Sequence, residues 1–385
     1  MRTWPATRAP PPSPEARGLV LKQPVFYAVI PAGGSGTRLW PVSRAAVPKF
    51  LQDLTGGDRT LIQATYARLC PLAGPDRTFV VTGGAHAAGI ARQLPHLPAE
   101  NVLVEPAPRD SAPAIGLAAA VIARRDPEAI MGSFAADHVV RDEAAFRASV
   151  RAAADAAGRG HLMTIGIVPT RPETGYGYLQ RGERLAGGAG CLVAEFKEKP
   201  ARDVAETYVA SGGYWWNASM FVWRVDVFLD ELRQQQPALH AGLVRIAEAW
   251  GTNRQEEILG SVWSTLPKVS VDYGVMEGAA ARGRVGAVPG DFGWYDVGDW
   301  DTLAGLLPAS SQGNVVLGPS SAHVGLDTDN TVVVSRSGRL IATLGVTDLV
   351  VVDTDDVVLV CSRGSAQEVR QLVTELRSHG HDALL

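Results

Sequence analysis

From Val25 onward the chain alternates short apolar runs with stretches of helical periodicity. "VFYAVI" reads as a buried strand, "TLIQATYARL" as an amphipathic helix, "RTFVVTG" as a strand and "AGIARQL" as a helix. "NVLVEP" is again a strand, "SAPAIGLAAAVIARR" a helix, "AIMGSF" a strand and "EAAFRASVRAAADAAG" a helix. Strands separated by helices of about ten or more residues predict crossover units, hence an α/β fold with a Rossmann-like, mostly parallel sheet. Ligands of such sheets bind beyond the carboxyl ends of the strands.

The pattern changes near residue 310. Short β-branched runs follow ("NVVL", "TVVVS", "LIATLG", "LVVVDT", "VVLVCS"), broken by Gly, Asp and Asn, and then one closing helix, "SAQEVRQLVTELRSHG". Runs spaced by roughly ten residues predict a small all-β domain, and they also fit coils of a short β-helix. The expected division is therefore a larger unit over 25–309 and a small β domain over 310–385. Residues 1–24, with "APPPSPEARG", read as a Pro-rich disordered tail. The closing helix carries an apolar stripe of Val369, Leu372, Val373 and Leu376, which suits packing on its own domain or on a second copy in a homodimer.

Composition narrows the function. With 36 Lys plus Arg against 40 Asp plus Glu, the surface is weakly acidic, which argues against nucleic acid or an anionic membrane as partner. Cys70, Cys191 and Cys361 are too far apart in sequence for a zinc motif and too few for a disulfide framework. No apolar run approaches the ~20 residues of a membrane span. The N-terminal residues lack the apolar core of a secretory signal, so a cytoplasmic protein is expected.

The chemistry starts at "VIPAGGSGTRLWP", Val29 to Pro41, directly after the first strand. A dinucleotide fingerprint would need a third glycine where Leu39 stands, and a P-loop would need Lys-Ser or Lys-Thr after Gly36. What remains is a glycine turn whose backbone N–H groups lie open to a phosphate or a base. A plain tight turn fits the glycines alone. Arg38 and Lys49, the latter in "VPKFL", add two cations at this strand end, as a nucleoside triphosphate requires.

"AGGSGTRLWPVSRAAVPKFL" resembles the signature of the sugar-1-phosphate nucleotidyltransferases, in the branch that makes GDP-mannose. "EPAPRDSAPAIGLAA", "FAADHVV", "GIVPTRPETGYGYL", "FKEKP", "YWWNASMFVW", "VDYGVME" and "GWYDVGDW" follow in that family's order, over about residues 29–300. The "PKFL" segment is one residue short of the family's Pro-Lys-x-Phe-Leu, Asp110-Ser111 stands where Asn-Thr is usual, and Ser219 stands in place of a glycine.

The resemblance implies transfer of GMP from GTP to mannose 1-phosphate, with Mg²⁺ as cofactor and pyrophosphate as the other product. Arg38, Lys49 and Lys199 would be the catalytic cations. Ala32, Gly33, Gly34, Gly36, Thr37, Ser111 and Ala112 would hold the nucleotide. Gly175, Glu198 and Asn217 would hold the sugar, and Asp137 and Asp296 the metal. Taken singly, Asp137 also fits a strand-end cap and Asp296 a turn, and His138 is expected to pack rather than ligate. Strand alternation in "EFKEKP" would put Lys197 and Lys199 on one face and Glu198 on the other. Ser111 is expected to cap the helix that it begins. Two rivals remain: the same chemistry on another NTP and hexose 1-phosphate, and a catalytically silent relative that binds GDP-sugar and regulates a partner.

Overall fold

The computed structural model describes residues 24–34 and 36–385. The tail reading lies outside them, except for Pro24.

The first half follows the alternating pattern. Strand β1 (Phe26–Ala32), helix α1 (Leu61–Ala73), β2 (Thr78–Gly83), α2 (Gly84–Gln93), β3 (Val102–Glu105), α3 (Ser111–Arg125), β4 (Ile130–Ser133), β5 (His138–Val140) and α4 (Glu143–Ala157) come in order. Then come β6 (Leu162–Ile167), β7 (Tyr178–Arg184), β8 (Cys191–Lys197), β9 (Tyr214–Arg224), β10 (Val285–Pro289) and β11 (Trp294–Asp296). Among the described residues, nine strands form one sheet in the order β3-β2-β1-β4-β9-β6-β10-β8-β7. The β3-β2-β1-β4 half is wholly parallel, as the crossover pattern predicts. The other half is mixed, because β9 runs antiparallel to β4, β6 and β7.

The parallel strands are apolar because both of their faces are covered. On β1, Val29 joins the core beneath α3, while Ala28 and Ile30 join the opposite core beneath α1 and α4. α3 buries residues from Ala112 through Ile122 without a break, so its small side chains let it lie close on the sheet. Each large apolar side chain buried in this way contributes about 1.5–3 kcal/mol.

One capping expectation is corrected. Asp110, not Ser111, caps α3; its φ is +70° and its carboxylate accepts from the Ser111 N–H at 2.8 Å. Ser111 is already helical, and its Oγ accepts from the Val271 N–H at 2.9 Å.

Beyond residue 314 the runs β12 (Val315–Leu317), β13 (His323–Asp329), β14 (Val332–Ser335), β15 (Ile341–Thr347), β16 (Leu349–Asp353) and β17 (Val358–Ser362) wind as coils. Val315, Val332 and Val350 stack in parallel register, and β13 lies parallel to β15. Strands close in sequence can pair in parallel only if the chain coils, so the β-helix alternative is the one adopted. β17 turns back antiparallel to β16 and ends the stack. A third core joins this domain to the rest of the chain: Leu39, Trp40, Val297 and Trp300 pack with Val332, Val350, Val369 and Val373. No described helix is long and apolar enough to cross a membrane.

Candidate functional site

β1 delivers the glycine turn to the carboxyl end of the parallel strands. Gly33 and Gly34 are exposed, and a Cβ on either would meet nothing within 4 Å. Gly36 is different: its φ is +61°, and a Cβ there would lie 2.8 Å from Ser43 Oγ and 3.0 Å from Lys49 Cγ. Only glycine allows Lys49 to pass so close beneath the turn. Thr37 opens the short 3-10 turn Thr37–Leu39, which carries the half-buried Arg38.

The Lys49 ammonium is inserted between the two carboxylates assigned to metal. Its Nζ lies 2.8 Å from Asp137 Oδ2 and 3.6 Å from Asp296 Oδ1, and donates to Val297 O at 2.9 Å. Asp137 and Val297 O lie at hydrogen-bond distance, and Asp296 adds an ion pair at longer range. Burial disfavours the charge, but Asp137 and Asp296 outweigh it and hold the Lys49 pKa above its usual value. Burial likewise pushes Asp137 upward, and Lys49 with His138 more than reverses that, leaving the carboxyl below its ordinary range. Lys49 is thus held by two carboxylates and a carbonyl at the end of the strand that also carries the Arg38 turn.

Two short strands bring these residues together: Asp296 on β11 pairs with His138 on β5. Asp137, His138 and Asp296 each offer a ligand atom within 4.8 Å of the others. The His138 ring stands edge-on to Trp294 at 5.4 Å, and its buried Nδ1 finds no hydrogen-bond partner. Burial lowers the His138 pKa, which favours the neutral ring. His138 packs as expected, against Trp294, and also lies beside the two carboxylates. Arg68, unmarked in the sequence reading, anchors this region from α1: its buried guanidinium donates to His138 O at 2.7 Å. Burial pushes the Arg68 pKa down to about 10.

A second polar cluster forms around Glu198 and Lys199. β8 ends at Lys197, and Lys199 has a φ of +46°, so alternation stops before the two residues that matter. The expected separation onto opposite faces is wrong: Lys199 Nζ lies 3.2 Å from Glu198 Oε1. The Glu198 N–H donates to Glu277 Oε1 at 3.0 Å, and Lys199 N–H to Tyr176 O at 3.2 Å. Gly177 lets this happen, because a Cβ there would stand 2.5 Å from Glu198 Oε2. Gly175, named from sequence, instead gives its N–H to Glu173 Oε1 at 3.0 Å.

Asn217 is 2% exposed and engaged on both ends of its amide. Its Nδ2 donates to Asp272 Oδ1 at 3.0 Å, and its Oδ1 accepts from Thr164 Oγ1 at 2.7 Å and from Ser219 N–H at 3.1 Å. Through this amide it links Asp272 to Thr164. Ser219 has a φ of +52°, the physical reason a glycine is usual there. Burial, reinforced by the charge of Glu198, pushes Asp272 up to about 7. Burial also raises Glu198, with Lys199 opposing it. Asp272 and Glu277 were visible only as letters of "VDYGVME"; their contacts with Asn217 and Glu198 are long-range and leave no local signal.

On the nucleotide side, Ala32 and Ala112 are fully buried. The Ala112 N–H donates to Val269 O at 3.1 Å. Glu105, unmarked in the sequence reading, ends β3 level with Gly83. It is 8% exposed, its Oε2 has no partner, and burial pushes its pKa up to about 7.

Comparison with known proteins agrees with this layout. Residues 27–311 match the nucleotidyl transferase family, and residues 321–376 match the mannoseP isomerase/GMP-like β-helix domain. A mannose-1-phosphate guanylyltransferase of Escherichia coli K12 is 41% identical over 94% of this chain and 75% of its own length. The xanthan biosynthesis protein XanB of Xanthomonas campestris is 40% identical over 91% of this chain and 73% of its own. The chain thus spans about three quarters of the length of these curated relatives. Among solved structures, mannose-1-phosphate geranyltransferase from Thermus thermophilus superposes with a TM-score of 0.81 at 37% identity, covering 91% of this chain and 99% of that one. The chain belongs to the nucleotidyl transferase family, with a β-helix domain following its catalytic domain.

Proposed function

We propose that the chain transfers GMP from GTP to mannose 1-phosphate, giving GDP-mannose and pyrophosphate. The observation that carries this reading is one carboxylate–ammonium centre, Asp137–Lys49–Asp296, flanked by two unlike clusters. The glycine turn, Arg38 and Glu105 form the nucleotide side; Glu198, Lys199, Asp272 and Glu277 form the sugar side. The catalytic unit is taken as residues 25–309 and the β domain as 310–385.

A sugar phosphate monoester has a second pKa of about 6 and is mostly a dianion at neutral pH. It needs no general base to attack the α-phosphorus. The obstacle is repulsion between two anions, which fixed cations and a divalent metal relieve. Asp137 and Asp296 fit Mg²⁺, which takes few protein carboxylates and keeps waters. Such a cation would neutralise charge on both phosphates and align the displacement. Lys49, in contact with the same carboxylates, adds positive charge beside them. Arg38 supplies a planar guanidinium for the triphosphate.

The sugar cluster is rich in carboxylates, which accept the hydrogen bonds that hexose hydroxyls donate. Lys199, at the exposed end of this cluster, is suited to the phosphate of the incoming sugar. On the other side, the Glu105 carboxyl matches the adjacent N–H groups on the Watson–Crick edge of guanine. Val369, Val373 and Leu376 of the closing helix pack into the chain's own third core, so the stripe favours packing on its own domain over a homodimer. Pyrophosphate release over a grid of four NTPs and several sugar 1-phosphates tests the assignment. GTP with mannose 1-phosphate should be the best pair, with no turnover in a chelator. A uridine or thymidine triphosphate giving the fastest rate would sink the substrate assignment.

A further inference from the structure

The β-helix domain reaches into the catalytic domain beside the reaction centre. Gln367 lies on the 3-10 turn Arg363–Glu368, just before the closing helix Val369–Ser378. Its Oε1 accepts from Arg38 Nη1 at 3.0 Å, and its Nε2 donates to Asp299 Oδ2. Only one orientation of the amide satisfies both neighbours, since a guanidinium only donates and a carboxylate only accepts. Asp299 is 2% exposed, stands three residues after Asp296, and caps the helix Trp300–Ala304 through the Thr302 N–H at 2.8 Å. One side chain of the C-terminal domain therefore ties together the glycine-turn segment and the Asp296 segment.

The rest of the seam is fixed as well. Arg44 pairs with Asp356 at 2.6 Å, Arg363 with Asp301 at 2.6 Å, and Trp40 Nε1 donates to Leu384 O at 2.8 Å. An amide mounted on this frame is a stationary acceptor, whereas an exposed arginine left to itself loses rotamer entropy when it grips a ligand.

We propose that Gln367 is a positioning residue: it holds the Arg38 guanidinium in the orientation that meets the triphosphate, so that the β-helix domain sets nucleotide affinity. This rests on the reading of Arg38 as a triphosphate contact. Gln367 is exposed, so Gln367→Leu leaves no buried void. The test is GTP titration by calorimetry into the full chain as wild type, Gln367→Leu, Arg38→Ala and the double variant, each with its melting temperature. Gln367→Leu should weaken GTP binding about five- to tenfold, raise the KM for GTP, and leave the KM for mannose 1-phosphate unchanged. It should add nothing in the Arg38→Ala background, and melting should shift by less than about 2 °C. If Arg38→Ala weakens GTP and Gln367→Leu does not, the positioning role is wrong while the triphosphate reading stands. An equal loss from Gln367→Leu with and without Arg38 also overturns the proposal, because the effect then does not pass through the guanidinium. If Arg38→Ala binds GTP normally, the reading of Arg38 itself fails, and the proposal with it.

Discussion

Lys49 and Lys199 carry the same charge into one crevice under opposite conditions. The Lys49 side chain is 14% exposed and clamped between two carboxylates and a carbonyl; that of Lys199 is 56% exposed and leans on one glutamate. The first ammonium is part of the fold, since removing it leaves two carboxylates facing each other. The second is held by a positive-φ turn at a strand end and is free to meet a ligand. Preorganised charge belongs where the bond is made, and mobile charge where a substrate must enter and leave.

The largest expected effect tests the centre both lysines serve. Asp137→Asn and Asp296→Asn remove charge at nearly constant shape. Turnover should fall by about 10²–10³-fold while the melting transition stays cooperative. Manganese binding followed by electron paramagnetic resonance should weaken in parallel. Either variant turning over at the wild-type rate in low millimolar Mg²⁺ would remove that residue from the metal site.

Stability separates the lysines next. In a chelator, Lys49→Ala should cost about 3 kcal/mol in denaturant unfolding, because it strands a paired charge, and added divalent metal should restore part of the loss. Lys199→Ala should cost less than about 1 kcal/mol, as exposed pairs do. Equal losses would mean that burial does not distinguish them.

The smallest effect is on pH. Asp272 is raised in the folded state to about 7, from an ordinary carboxyl value of 3.8. The folded protein therefore holds more protons than the unfolded chain between these values, so this group's contribution is complete below them and is lost as pH rises towards 7. Asp272→Asn should flatten the decline in melting temperature between pH 5 and 7.5. An unchanged slope would place the titration elsewhere, with Glu105 the other carboxyl raised to about 7.

The parallel half of the sheet and the glycine turn are legible in sequence because their signals are local: apolar runs, helical periods and absent Cβ atoms. Asp137 and Asp296 are 159 positions apart, one in the turn just before β5 and one at the end of β11, and the pairing of those two strands brings them together. What periodicity misses is where it breaks. Alternation predicted opposite faces for Glu198 and Lys199, and the left-handed turn at Lys199 puts the charges in contact. The partners of Asn217, Thr164 and Asp272, come from distant segments and leave no local signal in its motif. Ser111 looked like a cap, and one residue earlier Asp110 takes that role in a positive-φ conformation. Gln367 has no motif at all; only the docking of the β-helix against the glycine-turn segment gives it neighbours.

The division of the crevice is tested most directly by titrating GTP, without sugar phosphate, into Lys49→Ala and Lys199→Ala by calorimetry. Lys49→Ala should bind GTP at least about tenfold more weakly, because the stranded carboxylates then face the triphosphate, while Lys199→Ala should bind it as the wild type does. Normal GTP binding by Lys49→Ala together with its loss in Lys199→Ala would contradict the account, and would place the nucleotide on the side assigned here to the sugar.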